Sequence, residues 1–242
     1  MGDMLPHNLH ALRSAMSRLL TARTVRSLLI PASGVVLFAS LLLAAVPYYA
    51  DKPIESRNAA ISDFASPGEN PHGYLIATAG IVLCALLLMP AALCFFRVLR
   101  EPHRRAAAVG SLLFWAGLAG GVVLACMSPF QDGFSAVHIY LAYSIFTLTA
   151  AGLWMLLMAA TRQTRRNGGG QMMLAATILQ ACVLTYLLAL LANQIFNSGT
   201  HVFAEAPFYR SVAFCEWVLC LESMVCLFVL ASGVKDVEEA IG

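Results

Sequence analysis

Three residues able to move protons stand out in an otherwise apolar chain: Asp63 in a loop, His138 opening one apolar run, and Glu216 a turn inside another. Two carboxylates and an imidazole are the parts of general acid–base chemistry, with Glu216 as acid, His138 as base, and Asp63 or Asp132 orienting the ring. Ser62, Ser128 and Ser135 are the candidate nucleophiles, but no GxSxG-type frame surrounds any of them. A zinc variant would join His138 to His72 or His201 and an acid, leaving one open position. The chain has no HxxxH or HExxH spacing, so neither a metal nor any other cofactor is expected.

Each residue also has a plainer reading. Asp63 follows Ser62 and suits a helix cap. Asp132 before Gly133 suits a turn, and His138 suits an interfacial ring bonded to water or a headgroup. His201 and Glu205 suit a solvated loop, and Asn193 and Gln194 suit a hydrogen bond to that loop. Glu216 is harder to dismiss. An ionised acid at the centre of a membrane helix costs about 2.5–3.5 kcal/mol to insert, and such residues face a bundle interior or a cavity. Its offset would be a cationic partner, for which His138 has the right depth, a proton held on the acid, or hydration from a pocket. Glu222 lies six residues on, about 240° around the helix, so the two glutamates do not share a face. Glu222 reads as interhelical glue, with Gln180, Thr185 or Tyr186 as partner.

The elements that would position these groups follow from composition. The 242-residue chain is 60% hydrophobic and 12% charged, against about half and a quarter in a soluble domain. This implies an all-α integral membrane protein. Its net charge of +2 gives no reason to expect nucleic acid as a partner. All seven cysteines fall in apolar runs without metal-type spacing and read as small buried side chains. Six runs are long enough to cross a bilayer: Leu28–Tyr49, Tyr74–Phe96, Ala107–Met127, Val137–Ala160, Met172–Phe196 and Val212–Gly233. The expected layout is a cytoplasmic amphipathic segment over residues 1–27, a six-helix domain over 28–233 and a cytoplasmic tail over 234–242. Within the first segment, Leu9, Leu12, Met16, Leu19 and Leu20 recur at helical spacing among arginines, as in an interfacial helix. Arginines gather before the first span, between the second and third, and between the fourth and fifth. By the positive-inside rule both termini are then cytoplasmic, and a bacterial inner membrane suits the pattern. Asp63, His138 and Glu216 all fall on the opposite, outer side.

The order of these features carries a resemblance. "ISDFASPGENPHGYLIATAGIVL" follows the first span, "GSLLFWAGLAGGVVLACMSPFQDGFSAVHIYLAYSIFTL" spans the third and fourth, and "FCEW" opens the last. This resembles the six-span membrane proteins of the DRAM, Frag and Sfk type, a superfamily that includes GPI-anchor lipid-remodelling proteins and uncharacterised bacterial members. The resemblance covers roughly residues 28–233. It implies lipid-related work at the outer or lumenal leaflet, with Asp63, His138 and Glu216 as the positions that matter. Membrane lipids are then the expected partners, with a protein partner or a second copy of the chain also open. A non-catalytic scaffold or sensor is slightly favoured. A lipid-modifying enzyme using the same three residues comes next, and a proton-coupled transporter last, because no inverted repeat or pair of broken helices is visible.

Overall fold

A computed structural model describes residues 21–51, 59–127, 136–166, 170–196 and 212–241. Among these residues every regular element is helical, and six helices are long and apolar enough to cross a membrane. The chain is an integral membrane protein. The amphipathic stretch expected before Thr21 lies outside the described residues.

Helix α1 opens as Ala22–Thr24, passes through a π-helical turn at Val25–Leu29, and continues as Ile30–Asp51. The π-turn sits just ahead of Pro31, which contributes no N–H to the helical ladder. The helix therefore starts six residues before the apolar run that announces it. Thr21 caps it, its hydroxyl accepting from the Thr24 N–H at 3.2 Å. Ala22 and Val25 are fully buried, and this first turn packs against the last helix, where the Arg26 guanidinium lies 5.6 Å from the Phe228 ring centroid. Arginine thus marks the edge of the apolar stripe without ending the helix.

Helix α2 is a single turn, Ile61–Phe64. Helices α3, Tyr74–Glu101, and α4, His103–Met127, meet at a break where His103 has φ −145° and ψ 54°, next to Pro102 in the sequence. Then come α5, Ala136–Arg166, α6, Gln171–Phe196, and α7, Val212–Ile241. Several helices overrun the apolar runs at the arginine-rich end. Arginine is a good helix former, so hydropathy stops before the helix does.

Helices α3 and α4 pack along α5 and α1, α6 lies against α5 and α7, and α7 closes the bundle. The α4–α5 contact is close. A Cβ on Gly152 would collide with the Phe114 backbone, and one on Gly117 with Thr149. Small residues here let two backbones approach as membrane packing requires. At the turn before α6, Gly170 has φ +100°, a conformation that favours glycine.

Candidate functional site

The chemistry gathers where α2 meets the start of α7. Ala60 is extended at the N-cap of α2, and its N–H donates to Asp63 Oδ2 at 2.8 Å. This is the backward half of a capping box, and it makes Asp63 a cap of its own turn. The cap leaves the first-turn amide of Ser62 directed away from its own helix, and Glu216 receives it. The Ser62 N–H donates to Glu216 Oε2 at 2.9 Å, and the Ser62 hydroxyl donates to Oε1 at 3.0 Å. Glu216, only 5% exposed, therefore caps α2 from 154 residues away. Next to it, the Trp217 indole N–H donates to the Ala59 carbonyl at 3.1 Å.

Aromatic packing seats the same turn. Phe64 is buried between Tyr48 of α1 and Trp217 of α7, edge-on to both, with centroids 5.1 and 6.3 Å away. Asn70, buried to 1% exposure, ties the following turn to α1. Its Nδ2 donates to the Ala44 carbonyl at 2.9 Å and the Phe64 carbonyl at 3.1 Å, and its Oδ1 accepts from the Gly73 N–H at 3.1 Å. Residues 59–73 are thus latched to α1 and α7 through Ala59, Ser62, Phe64 and Asn70.

Behind the latch lies a partly open cavity of about 230 Å³. Glu216, Ser62 and His138 line it at the latch end, and Leu88, Phe114 and Leu227 line it deep in the bundle. Helices α1, α3, α4, α5 and α7 all contribute walls, and Gly117 and Gly121 leave room on the α4 side. Cys84 and Cys220 also face the cavity. Nothing in their spacing suggested it, since they stand on different helices.

Of the three expected site residues, the structure brings His138 and Glu216 to one cavity. Asp63 stands beside them in the latch as the cap of α2. The partner found for the Glu216 carboxylate is Ser62 rather than His138. Ser62, a candidate nucleophile, is therefore already engaged as a donor. His72 is exposed in the turn before α3 and is not part of the cavity wall. Ser128, Asp132, Ser135, His201 and Glu205 lie outside the described residues, as do the side chains of Asn193 and Gln194. No group of three metal-ligating side chains occurs among the described residues.

Glu222 sits apart from the cavity and is buried. With its amide nitrogen turned to the carboxylate, the fully buried Gln180 of α6 donates to Oε1 at 2.7 Å and Oε2 at 3.1 Å. The Cys226 thiol donates to Oε1 at 2.9 Å. Thr185, another expected partner, instead donates to the Ala181 carbonyl of its own helix. Glu222 is interhelical glue, as its position opposite Glu216 implied.

A family model described as "Protein of unknown function (DUF998)" matches residues 32–232, which takes in the latch, the cavity and all or most of each of the six spans. No curated protein and no solved structure matches the chain.

Proposed function

The chain belongs to the DUF998 family, and from its site we propose a non-catalytic lipid-binding scaffold or sensor. The observation that carries this reading is the cavity: about 230 Å³, apolar over most of its wall, with Glu216, Ser62 and His138 at one end. Small-molecule sites are typically about 300–1,000 Å³, mostly apolar, with a few convergent polar groups. An acyl chain fits the apolar part and a headgroup the polar end. Ser62 and Ala65 of the latch are also cavity wall. An occupant therefore touches the segment that Glu216 and Trp217 hold, and its presence is transmitted to the loop outside. The resemblance to the DRAM, Frag and Sfk type supports a lipid role, and the arginine-rich loops at the other end support a polar end directed to the outer leaflet.

The second reading, a lipid-modifying enzyme, is favoured by Glu216 and His138 facing one cavity. The engagement of both Glu216 oxygens by Ser62 argues for a structural carboxylate instead. One comparison separates the two. Membranes of a lipid-diverse host are profiled with wild type, Glu216→Gln at matched expression, or no protein, and lipids retained by the purified protein are identified. A scaffold or sensor leaves the bulk lipid classes unchanged while the wild type retains a lipid in near-stoichiometric amount. A lipid class that shifts with wild type and not with the variant would overturn that in favour of catalysis.

A further inference from the structure

The cavity is asymmetric in charge as well as polarity. Glu216 and His138 line it, and none of the described lining residues is Lys or Arg. Among the described residues, the donors to the Glu216 carboxylate are the Ser62 N–H and hydroxyl, with the Ile61 N–H also directed at it, and all are neutral. A carboxylate has roughly four acceptor positions, so these donors still leave room for another. A cationic donor entering the cavity would add a charge-assisted hydrogen bond, which none of the donors among the described residues supplies. A phosphate or carboxylate head would meet a like charge instead.

The depth is also informative. Glu216 at the latch end and Leu227 deep inside stand on the same helix and line the same cavity. At about 1.5 Å rise per residue, they are about 16 Å apart along the axis. That is about half of the roughly 30 Å hydrocarbon core, the depth of one leaflet. Between them the wall is largely apolar, including Cys84, Leu118, Ile145, Leu219 and Met224.

We propose that the cavity selects a single-chain amphiphile with a protonated amine head, the nitrogen donating to Glu216 and the chain running toward Leu227. This rests on the lipid-binding reading and names its ligand class. The amine repeats what the Ser62 donors do, and adds the charge they lack.

The test uses the full chain in phosphatidylcholine nanodiscs with three probes of equal chain length: dodecylamine, dodecanol and dodecanoate. Saturable binding is read by native mass spectrometry and by the shift in melting temperature, at matched probe content in the bilayer. Dodecylamine is expected to bind at least tenfold tighter than the other two. Glu216→Gln should abolish that preference, dodecylamine losing at least tenfold more affinity than dodecanol. Gly121→Leu should weaken binding of all three probes, because Gly121 lines the cavity and a Cβ there has Ile145 Cγ2 as its nearest neighbour at 4.0 Å, so added bulk takes cavity volume. Equal binding of amine and alcohol to wild type would overturn the head-group selection while leaving the lipid reading intact. Preference for dodecanoate would overturn it and point to His138 as the reader of an anionic head. Binding of none of the three would sink the lipid reading itself. These wild-type comparisons decide the matter even if Glu216→Gln does not fold.

Discussion

At the scale of single residues, two glutamates seven positions apart in a count that includes both do opposite work. Glu216 faces a cavity and a loop, whereas Glu222 faces Gln180 and Cys226 inside the bundle. Glu222 is testable as glue by a double-mutant cycle. Glu222→Leu and Gln180→Leu should each destabilise the bundle, and the double variant should recover part of the loss. The coupling expected for an interhelical hydrogen bond in a membrane is about 0.6–1.7 kcal/mol. Reversible unfolding in mixed micelles measures it, and additive single effects would remove Gln180 as the partner. Trp217→Phe keeps a ring against Phe64 but removes the donor to Ala59. It should weaken the latch by about 0.5–1.5 kcal/mol, seen as faster amide exchange over residues 59–64. Unchanged exchange there would mean that the ring alone holds the turn.

At this scale the sequence was informative about which residues, and less so about whom they meet. An acid in an apolar run announces itself by its cost, so both glutamates were legible. Helical phase separated their roles, and Gln180 was within reach of a reading by depth. The Ser62 partner was not, because its amide is a backbone group and every residue but proline has one. Only the turn at Ile61–Phe64 makes that amide available. Asn70 escaped notice for a related reason: asparagine between prolines reads as ordinary loop chemistry, and its burial is a tertiary fact.

At the scale of elements, α2 is too short to be stable alone and exists through its contacts. Phe64→Ala removes the ring that α1 and α7 share, and should release the 59–73 segment. Limited proteolysis should then cut within that segment at least tenfold faster while the six spans stay intact. A second expectation concerns the α4–α5 seam. Gly152→Val drives a side chain into the backbone at Phe114, which cannot move aside as a side chain could. It should cost about 1–3 kcal/mol or more. Gly121→Ala, whose nearest neighbour is 4.0 Å away, should be neutral by the same unfolding assay. Hydropathy located all six spans within a few residues at the latch end. It missed the overrun at the other end because it measures transfer to lipid, and a helix needs only its own hydrogen bonds to continue into the headgroups.

At the scale of the whole molecule, the bundle is polar and latched at one end and arginine-rich at the other. If the arginine-rich end is cytoplasmic, Gly68→Cys in a background without native cysteines should label with an impermeant maleimide from outside intact cells. Arg105→Cys should label only after permeabilisation. The opposite pattern would invert the topology and move the latch end of the cavity to the inner leaflet. The all-helical, six-span architecture was legible because a bilayer admits few alternatives. The cavity was not, because it is an absence of side chains among five helices, and no single run of sequence records it.

The cap that Glu216 supplies to α2 has a consequence in time. Ser62 and Glu216 are 154 residues apart, and a chain lengthens by about 5–20 residues per second. The turn at Ile61–Phe64 therefore waits on the order of 10–30 s for its cap after its own residues have been made. Throughout that interval the latch has only its α1 half, the Asn70 bond to Ala44 and the Phe64 ring against Tyr48. A ribosome that stalls before the last span leaves an earlier set of helices inserted with this loop lacking its α7 contacts. Closure of the latch thus distinguishes a finished chain from an unfinished one at the membrane surface.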